Sequence, residues 1–203
     1  RFDLLERNAY ALMSVQFSRG CPFQCEFCDI IVLYGRKPRT KTPDQLIREL
    51  EALHALNWRG EIFLVDDNFI GNKRSVKLLL SELATWQARH SYPFSFTTEA
   101  SIDLASDEEL MDQMVDSGFN RVFLGIETPD TASLTEAGKH QNTRTPLLEA
   151  VDAITGKGLL VMAGFILGFD GERSGAGQRI VDFVNQSSIP VAMLGILQAL
   201  PKT

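Results

Sequence analysis

Leu12-Met13-Ser14-Val15-Gln16-Phe17-Ser18-Arg19-Gly20-Cys21-Pro22-Phe23-Gln24-Cys25-Glu26-Phe27-Cys28 is the stretch on which the reading of this chain turns. Its first six residues alternate apolar and polar, the period of a half-buried strand. Its last eight hold Cys21, Cys25 and Cys28, and no other cysteine occurs in the 203 residues. A strand therefore runs into a loop that carries every thiol of the chain.

A Cys-x3-Cys-x2-Cys run can turn three thiolates toward one metal centre, but the local sequence leaves one coordination position unfilled. Soft thiolates select zinc, copper(I) or iron–sulfur clusters, and a structural zinc site closes four protein ligands around its ion. The histidines, His54, His90 and His140, are all distant from the loop in sequence. Three cysteines cannot pair within a chain, and these spacings would strain a small loop, so the thiols are expected to stay reduced. With no secretory signal and no long apolar run, the expectation is a cytoplasmic protein without a transmembrane segment.

Outward from this loop the chain repeats one unit, an apolar run followed by an amphipathic helical pattern. After the first strand the runs are Glu61–Val65, Phe94–Thr98, Arg121–Ile126, Leu160–Leu167 and Pro190–Leu197. Thr42, with Pro43 next and Gln45 three residues on, predicts a capped helix carrying Leu46, Ile47, Leu50, Leu53 and Leu56. Val76, Leu79, Leu80 and Leu83 mark a second helix. Ser106-Asp107-Glu108-Glu109 reads as the capping box of a third, ended by Gly118. Thr145-Pro146 opens a fourth, and Ile180 to Val184 lies in a fifth. Alternating strands and helices imply parallel pairing through right-handed crossovers, in one α/β domain spanning 1–203. Six units fall short of the closed eight-fold barrel, and a doubly wound open sheet is the alternative.

Phe27, immediately before Cys28, completes the pattern Cys-x3-Cys-x-aromatic-Cys. In this the chain resembles the radical S-adenosylmethionine (radical SAM) superfamily. The resemblance implies an open six-unit (β/α)6 partial TIM barrel with parallel strands. It also implies that Cys21, Cys25 and Cys28 hold a [4Fe–4S] cluster whose fourth iron binds the amino and carboxylate groups of S-adenosylmethionine. One-electron reduction would then cleave a carbon–sulfur bond, giving a 5′-deoxyadenosyl radical that abstracts hydrogen from a substrate carbon.

Chemistry in parallel α/β folds gathers at the carboxyl ends of the strands. Gly125-Ile126-Glu127 at the fourth strand is similar to the family motif beside the adenine. Gly164 through Glu172, with Ile166 and Gly168, is similar to the stretch whose apolar side chain packs on that base. Glu99 and Ser101 after the third strand are candidates for the ribose or amino-acid end of the cofactor. Asp66, in Asp66-Asp67-Asn68-Phe69 after the second, stands where many members carry a Gly-Gly-Glu-like segment. Asp66 or Asp67 could meet the ammonium group or cap the next helix. Phe27 and, near the sixth strand, Leu197 and Gln198 complete the expected cofactor contacts. Lys139-His140-Gln141-Asn142 is a polar loop able to reach the mouth of such a site.

Tyr34 through Lys41 is a basic run in a chain of net charge −6. Charge runs are usually solvated, though this one could meet an acidic group or a neighbouring domain. The overall acidity argues against a broad nucleic-acid surface. Ser18-Arg19-Gly20-Cys21-Pro22, the Asp66–Phe69 segment and Gly168-Phe169-Asp170 most resemble the core of cobalamin-associated, methylase-type members. That implies a fragment of a larger protein, with cobalamin on a domain outside these residues. The expected partners are a small-molecule or lipid-like substrate and an electron donor such as flavodoxin or ferredoxin. A methylthiotransferase-like enzyme and a non-catalytic iron–sulfur electron-transfer protein are the alternatives; the latter would be expected to carry a fourth cysteine.

Overall fold

The computed structural model describes residues 1–201 and 203; Lys202, in the closing Pro201-Lys202-Thr203, lies outside the described residues. The strands are β1 (Leu12–Val15), β2 (Ser18–Arg19), β3 (Arg39–Thr40), β4 (Gly60–Leu64), β5 (Phe94–Ala100), β6 (Phe119–Glu127), β7 (Leu160–Leu167) and β8 (Val191–Ile196). The helices are α1 (Ile30–Leu33), α2 (Pro43–Ala55), α3 (Lys73–Arg89), α4 (Glu108–Asp116), α5 (Thr131–Glu136), α6 (Leu147–Gly156) and α7 (Ala176–Gln186).

Six strands form one sheet in the order β1-β4-β5-β6-β7-β8, and every neighbouring pair is parallel. Spatial order follows chain order without reversal, so the doubly wound alternative is excluded. Among the described residues β1 and β8 do not pair, which leaves an open, curled half-barrel.

The two-residue period decides what each strand gives to either face. Ile62, Leu64, Phe96, Val122, Leu124, Val161 and Ala163 point outward and are fully buried beneath the helices. The helices meet them with Leu46, Leu50 and Leu53 of α2, Val76, Leu79, Leu80 and Leu83 of α3, and Val151 and Ile154 of α6. The alternate residues Phe63, Phe123, Met162 and Ile166 face the concave side and are only partly buried. The strand β8 departs from this pattern, since all six of its residues are exposed.

The capping box at Thr42 forms as the sequence predicts, with Thr42 accepting from Gln45 N and the Gln45 side chain closing back on Thr42 N. The third helix starts one residue later than expected. Asp107, not Ser106, accepts from Leu110 N at 3.1 Å, because Ser106 closes a 3-10 turn and donates to the Asp103 carbonyl. At the fourth helix Pro146 occupies the cap position without a side-chain bond, so Thr145 does not cap it. The antiparallel pair β2–β3 and the six-residue α5 had no periodic signature, being too short to show one.

Thr42→Ala should destabilise the fold by about 1 kcal/mol, the usual worth of a helix cap. Urea denaturation should show a lower midpoint with an unchanged slope.

Candidate active site

Strand β1 leaves the sheet beside β4, where Val65 N donates to Val15 O at 2.8 Å. Directly after β4, Asp66 is 1% exposed, and its carboxylate accepts from Phe17 N and Ser18 N at 2.7 Å each and from Ser18 Oγ at 2.6 Å. Asp67 accepts from Gly20 N at 2.7 Å. The pair therefore fastens the backbone that delivers Cys21. Burial pushes the Asp66 carboxyl up to about 6, outweighing the three donors that pull it down. Both its oxygens are engaged internally, so Asp66 sits as a clamp beneath the loop and not as a free contact for a cofactor.

Cys25 is buried, Cys21 and Cys28 are half-buried, and none forms a disulfide. Two side-chain amides aim at these sulfurs. Asn68 Nδ2 lies 3.8 Å from Cys21 Sγ and 3.1 Å from Ser101 Oγ, which brings Ser101 to the site through Asn68. Gln141 Nε2 lies 3.5 Å from Cys25 Sγ. Burial raises the Cys21 and Cys28 thiols; the backbone N–H of Phe23 and the Asn68 amide oppose this at Cys21, and the N–H of Ile30 opposes it at Cys28. Among the described residues no three His, Cys, Asp or Glu side chains converge tightly enough to hold a single metal ion.

Phe27 lies between a cation and a second ring. Lys139 Nζ stands 5.6 Å from its centroid, and Phe169 meets it edge-on at 5.8 Å. Lys139 is 9% exposed and forms an ion pair with Glu127, itself 7% exposed and held at φ 65°. A left-handed Glu at a strand end is strained, a condition that surrounding contacts must impose. Gly125 makes room for this pair: a Cβ there would fall 2.3 Å from Glu127 Oε1 and 2.7 Å from Lys139 Nζ. Ile126 turns the opposite way. Its side chain is fully buried in the outer core with Val122 and Leu124, so it does not line the concave face beside adenine as expected.

Against the cysteine loop opens a cavity of about 450 Å³ lined by Phe27, Ser133, Gly168, Phe169, Leu197 and Gln198, among others. It gathers four of the expected contacts, Phe27, Gly168, Leu197 and Gln198. Gly168 adopts φ 103°, a region open to glycine, and donates its N–H to Glu172 Oε2 at 2.7 Å. Ser133, also on the lining, is 1% exposed, and its Oγ has no hydrogen-bond partner among the described residues. Ile166 and Glu99 are half-buried on the concave side, the latter at the end of β5. Burial and then the nearby charge of Asp67 raise the Glu99 carboxyl above the usual range. A larger hollow of about 690 Å³, between residues 1–3 and α2, holds none of the expected site residues.

The sequence profile of the radical SAM superfamily matches residues 15–184. The chain belongs to that superfamily. It is accordingly an enzyme of the radical SAM type, whose cofactors are a [4Fe–4S] cluster and S-adenosylmethionine. This radical SAM chain is 66% identical over its whole length to an uncharacterised methyltransferase of Synechocystis sp.. It is 43% identical to the hopanoid C-2 methylase of Rhodopseudomonas palustris, and it spans 38% of the length of each relative. The radical SAM methyltransferase TsrM of Kitasatospora setae, solved with cobalamin and a [4Fe–4S] cluster, shares the fold. Its TM-score is 0.78, at 18% identity, over 91% of this chain and 36% of that one.

Sequence reasoning did not single out Asn68, Gln141, Asn142 or Ser133 as site residues. The signal for Asn68, Gln141 and Asn142 was membership of the polar segments 66–69 and 139–142, whereas Ser133 lies in neither.

The raised Asp66 carboxyl has a consequence for stability. Between its ordinary value of 3.8 and about 6 the native state binds the extra proton. This group's contribution is therefore fully present below the ordinary value and is lost as pH rises through about 6. Asp66→Asn should flatten that part of the stability profile, by up to about 3 kcal/mol, when denaturant unfolding is followed from acid to neutral pH.

Proposed function

We propose that residues 1–203 are the catalytic core of a longer, methylase-type radical SAM enzyme. Cys21, Cys25 and Cys28 would hold the [4Fe–4S] cluster, and S-adenosylmethionine would lie beside it in the cavity lined by Phe27, Gly168 and Gln198. The observation that carries this reading is that cavity, which joins the cysteine loop to the carboxyl ends of β7 and β8. Once reduced, the bound cluster would supply the electron that cleaves S-adenosylmethionine to the 5′-deoxyadenosyl radical used for hydrogen abstraction.

The chain's own residues are suited to binding and orienting these groups. Three thiols, two of them facing amide N–H donors, form a soft donor set with one position left for a small-molecule ligand. Phe27 and Phe169 offer apolar surface to a purine. Glu99 and Asp67 put two carboxylates on the concave side, a setting that favours the ammonium and sulfonium charges of the cofactor.

The concave face also suggests the substrate. Val65, Val191 and Met193 are exposed there, with Phe63, Phe123 and Met162 between them. Polar groups cluster nearer the strand starts, where Arg121 pairs with Glu61 at 3.2 Å and Thr97 donates to Glu61 at 2.6 Å. An apolar, lipid-like substrate fits such a wall, and the hopanoid C-2 methylase at 43% identity supports the same class. The reaction would be methylation of an unactivated carbon, with cobalamin carried outside these residues. An electron donor of the flavodoxin or ferredoxin kind would reduce the cluster. No helix among the described residues is long and apolar enough to cross a membrane.

Two substitutions test the assignment. Cys25→Ala should abolish uptake of iron and sulfide and the visible absorbance that accompanies it; retention of both would remove Cys25 from the ligand set. Glu99→Ala should leave the cluster spectrum intact and weaken S-adenosylmethionine binding about tenfold, a difference of about 1.4 kcal/mol by equilibrium dialysis.

A further inference from the structure

The segment after α5 is more tightly built than its polar sequence suggests. Lys139, Gln141 and Asn142 are 9%, 5% and 2% exposed, whereas His140 between them faces solvent. Lys139 N donates to Leu134 O at 2.8 Å, and its side chain pairs with Glu127. Asn142 N donates to Lys139 O at 3.0 Å, and Asn142 Nδ2 reaches Gly125 O at 2.9 Å and Ile126 O at 3.1 Å. The cysteine loop docks on the same segment through Glu26 N, which donates to Ala137 O at 3.0 Å. Gln141 is thus anchored on both sides, and its amide is delivered to Cys25 Sγ at 3.5 Å across 116 residues of sequence.

A second buried glutamine shows what a purely structural role looks like in this fold. Gln87, fully buried, donates Nε2 to the carbonyls of Phe94 at 2.7 Å and Ser117 at 3.2 Å. Gln141 Nε2 finds no such carbonyl among the described residues, and its hydrogen bond goes to a thiol sulfur.

We propose that Gln141 is a redox-positioning residue, whose amide N–H···S bond to Cys25 raises the reduction potential of the cluster. The proposal rests on Cys25 being a cluster ligand, as argued above. Reduction adds negative charge that spreads onto the ligand sulfurs, so a donor aimed at one of them stabilises the reduced state more than the oxidised one. In the buried setting around Cys25 the donor acts without competition from water, which strengthens its effect. Lys139 and Asn142 keep the amide in place and so preserve this bias.

The test is a spectroelectrochemical titration of the anaerobically reconstituted protein, without S-adenosylmethionine, comparing the unaltered chain with Gln141→Leu, Gln141→Glu and His140→Ala. Gln141→Leu removes the donor, and Gln141→Glu, titrated at alkaline pH so that the buried carboxyl is ionised, keeps the shape while replacing the donor by a carboxylate oxygen. Both should shift the potential downward, Gln141→Glu further, with a roughly tenfold fall in the reduced-to-oxidised ratio at fixed applied potential, equivalent to about 59 mV for one electron. His140→Ala should leave it unmoved. A Gln141→Glu cluster with an unaltered potential overturns the proposal, as does an equal shift in His140→Ala. If Gln141→Leu takes up no cluster, Gln141→Glu decides the matter alone. If Gln141→Glu also fails to assemble while His140→Ala assembles, Gln141 is an assembly residue and the redox role is overturned. Failure of the unaltered chain to form any cluster would instead refute the ligand assignment beneath it.

Discussion

The carboxylates of Asp66 and Asp67 hold the backbone from Phe17 to Gly20 against the end of β4, and the loop that carries every thiol departs from that attachment. The cysteine loop has little regular structure of its own. It is fastened at its entrance by these aspartates, on its far side by Ala137 O, and where Cys21 N donates to Gly35 O at 3.3 Å. Burying Asp66 costs enough to push its carboxyl up to about 6, so the fold retains an unfavourable charge to keep the entrance rigid. This is the stored cost expected where a site must be held in one geometry.

The half-barrel makes the attachment useful. Because all six strands run parallel and in chain order, their carboxyl ends share one rim, and residues far apart in sequence meet there. The glycine at 125 admits the Lys139–Glu127 pair, that pair underlies Phe27, and Phe27 forms one wall of the cavity shared with Gly168 and Gln198. The remaining concave surface carries apolar side chains such as Phe63, Phe123 and Met162, with the Arg121–Glu61 pair toward the strand starts.

Much of this was legible in the sequence because it is local. The six strand runs, the Thr42 cap and the Cys-x-aromatic-Cys spacing each depend on residues within one turn or one strand. The outward turn of Ile126 was also available, since Val122, Leu124 and Ile126 share one parity along β6 and all are fully buried. Contacts made across long stretches of chain were not legible. The Asn68 and Gln141 amides reach their sulfurs over 47 and 116 residues, and no spacing rule joins such partners before the sheet forms. The start of α4 was misplaced for the opposite reason: Ser106 and Asp107 are both good caps, and only the preceding 3-10 turn decides between them.

The measurement that bears most directly on the central claim is reductive cleavage itself. After anaerobic reconstitution with iron and sulfide and reduction with dithionite, added S-adenosylmethionine should yield 5′-deoxyadenosine in step with cluster content. A protein that takes up no cluster but binds zinc tightly through the three cysteines, and forms no nucleoside, would contradict the account.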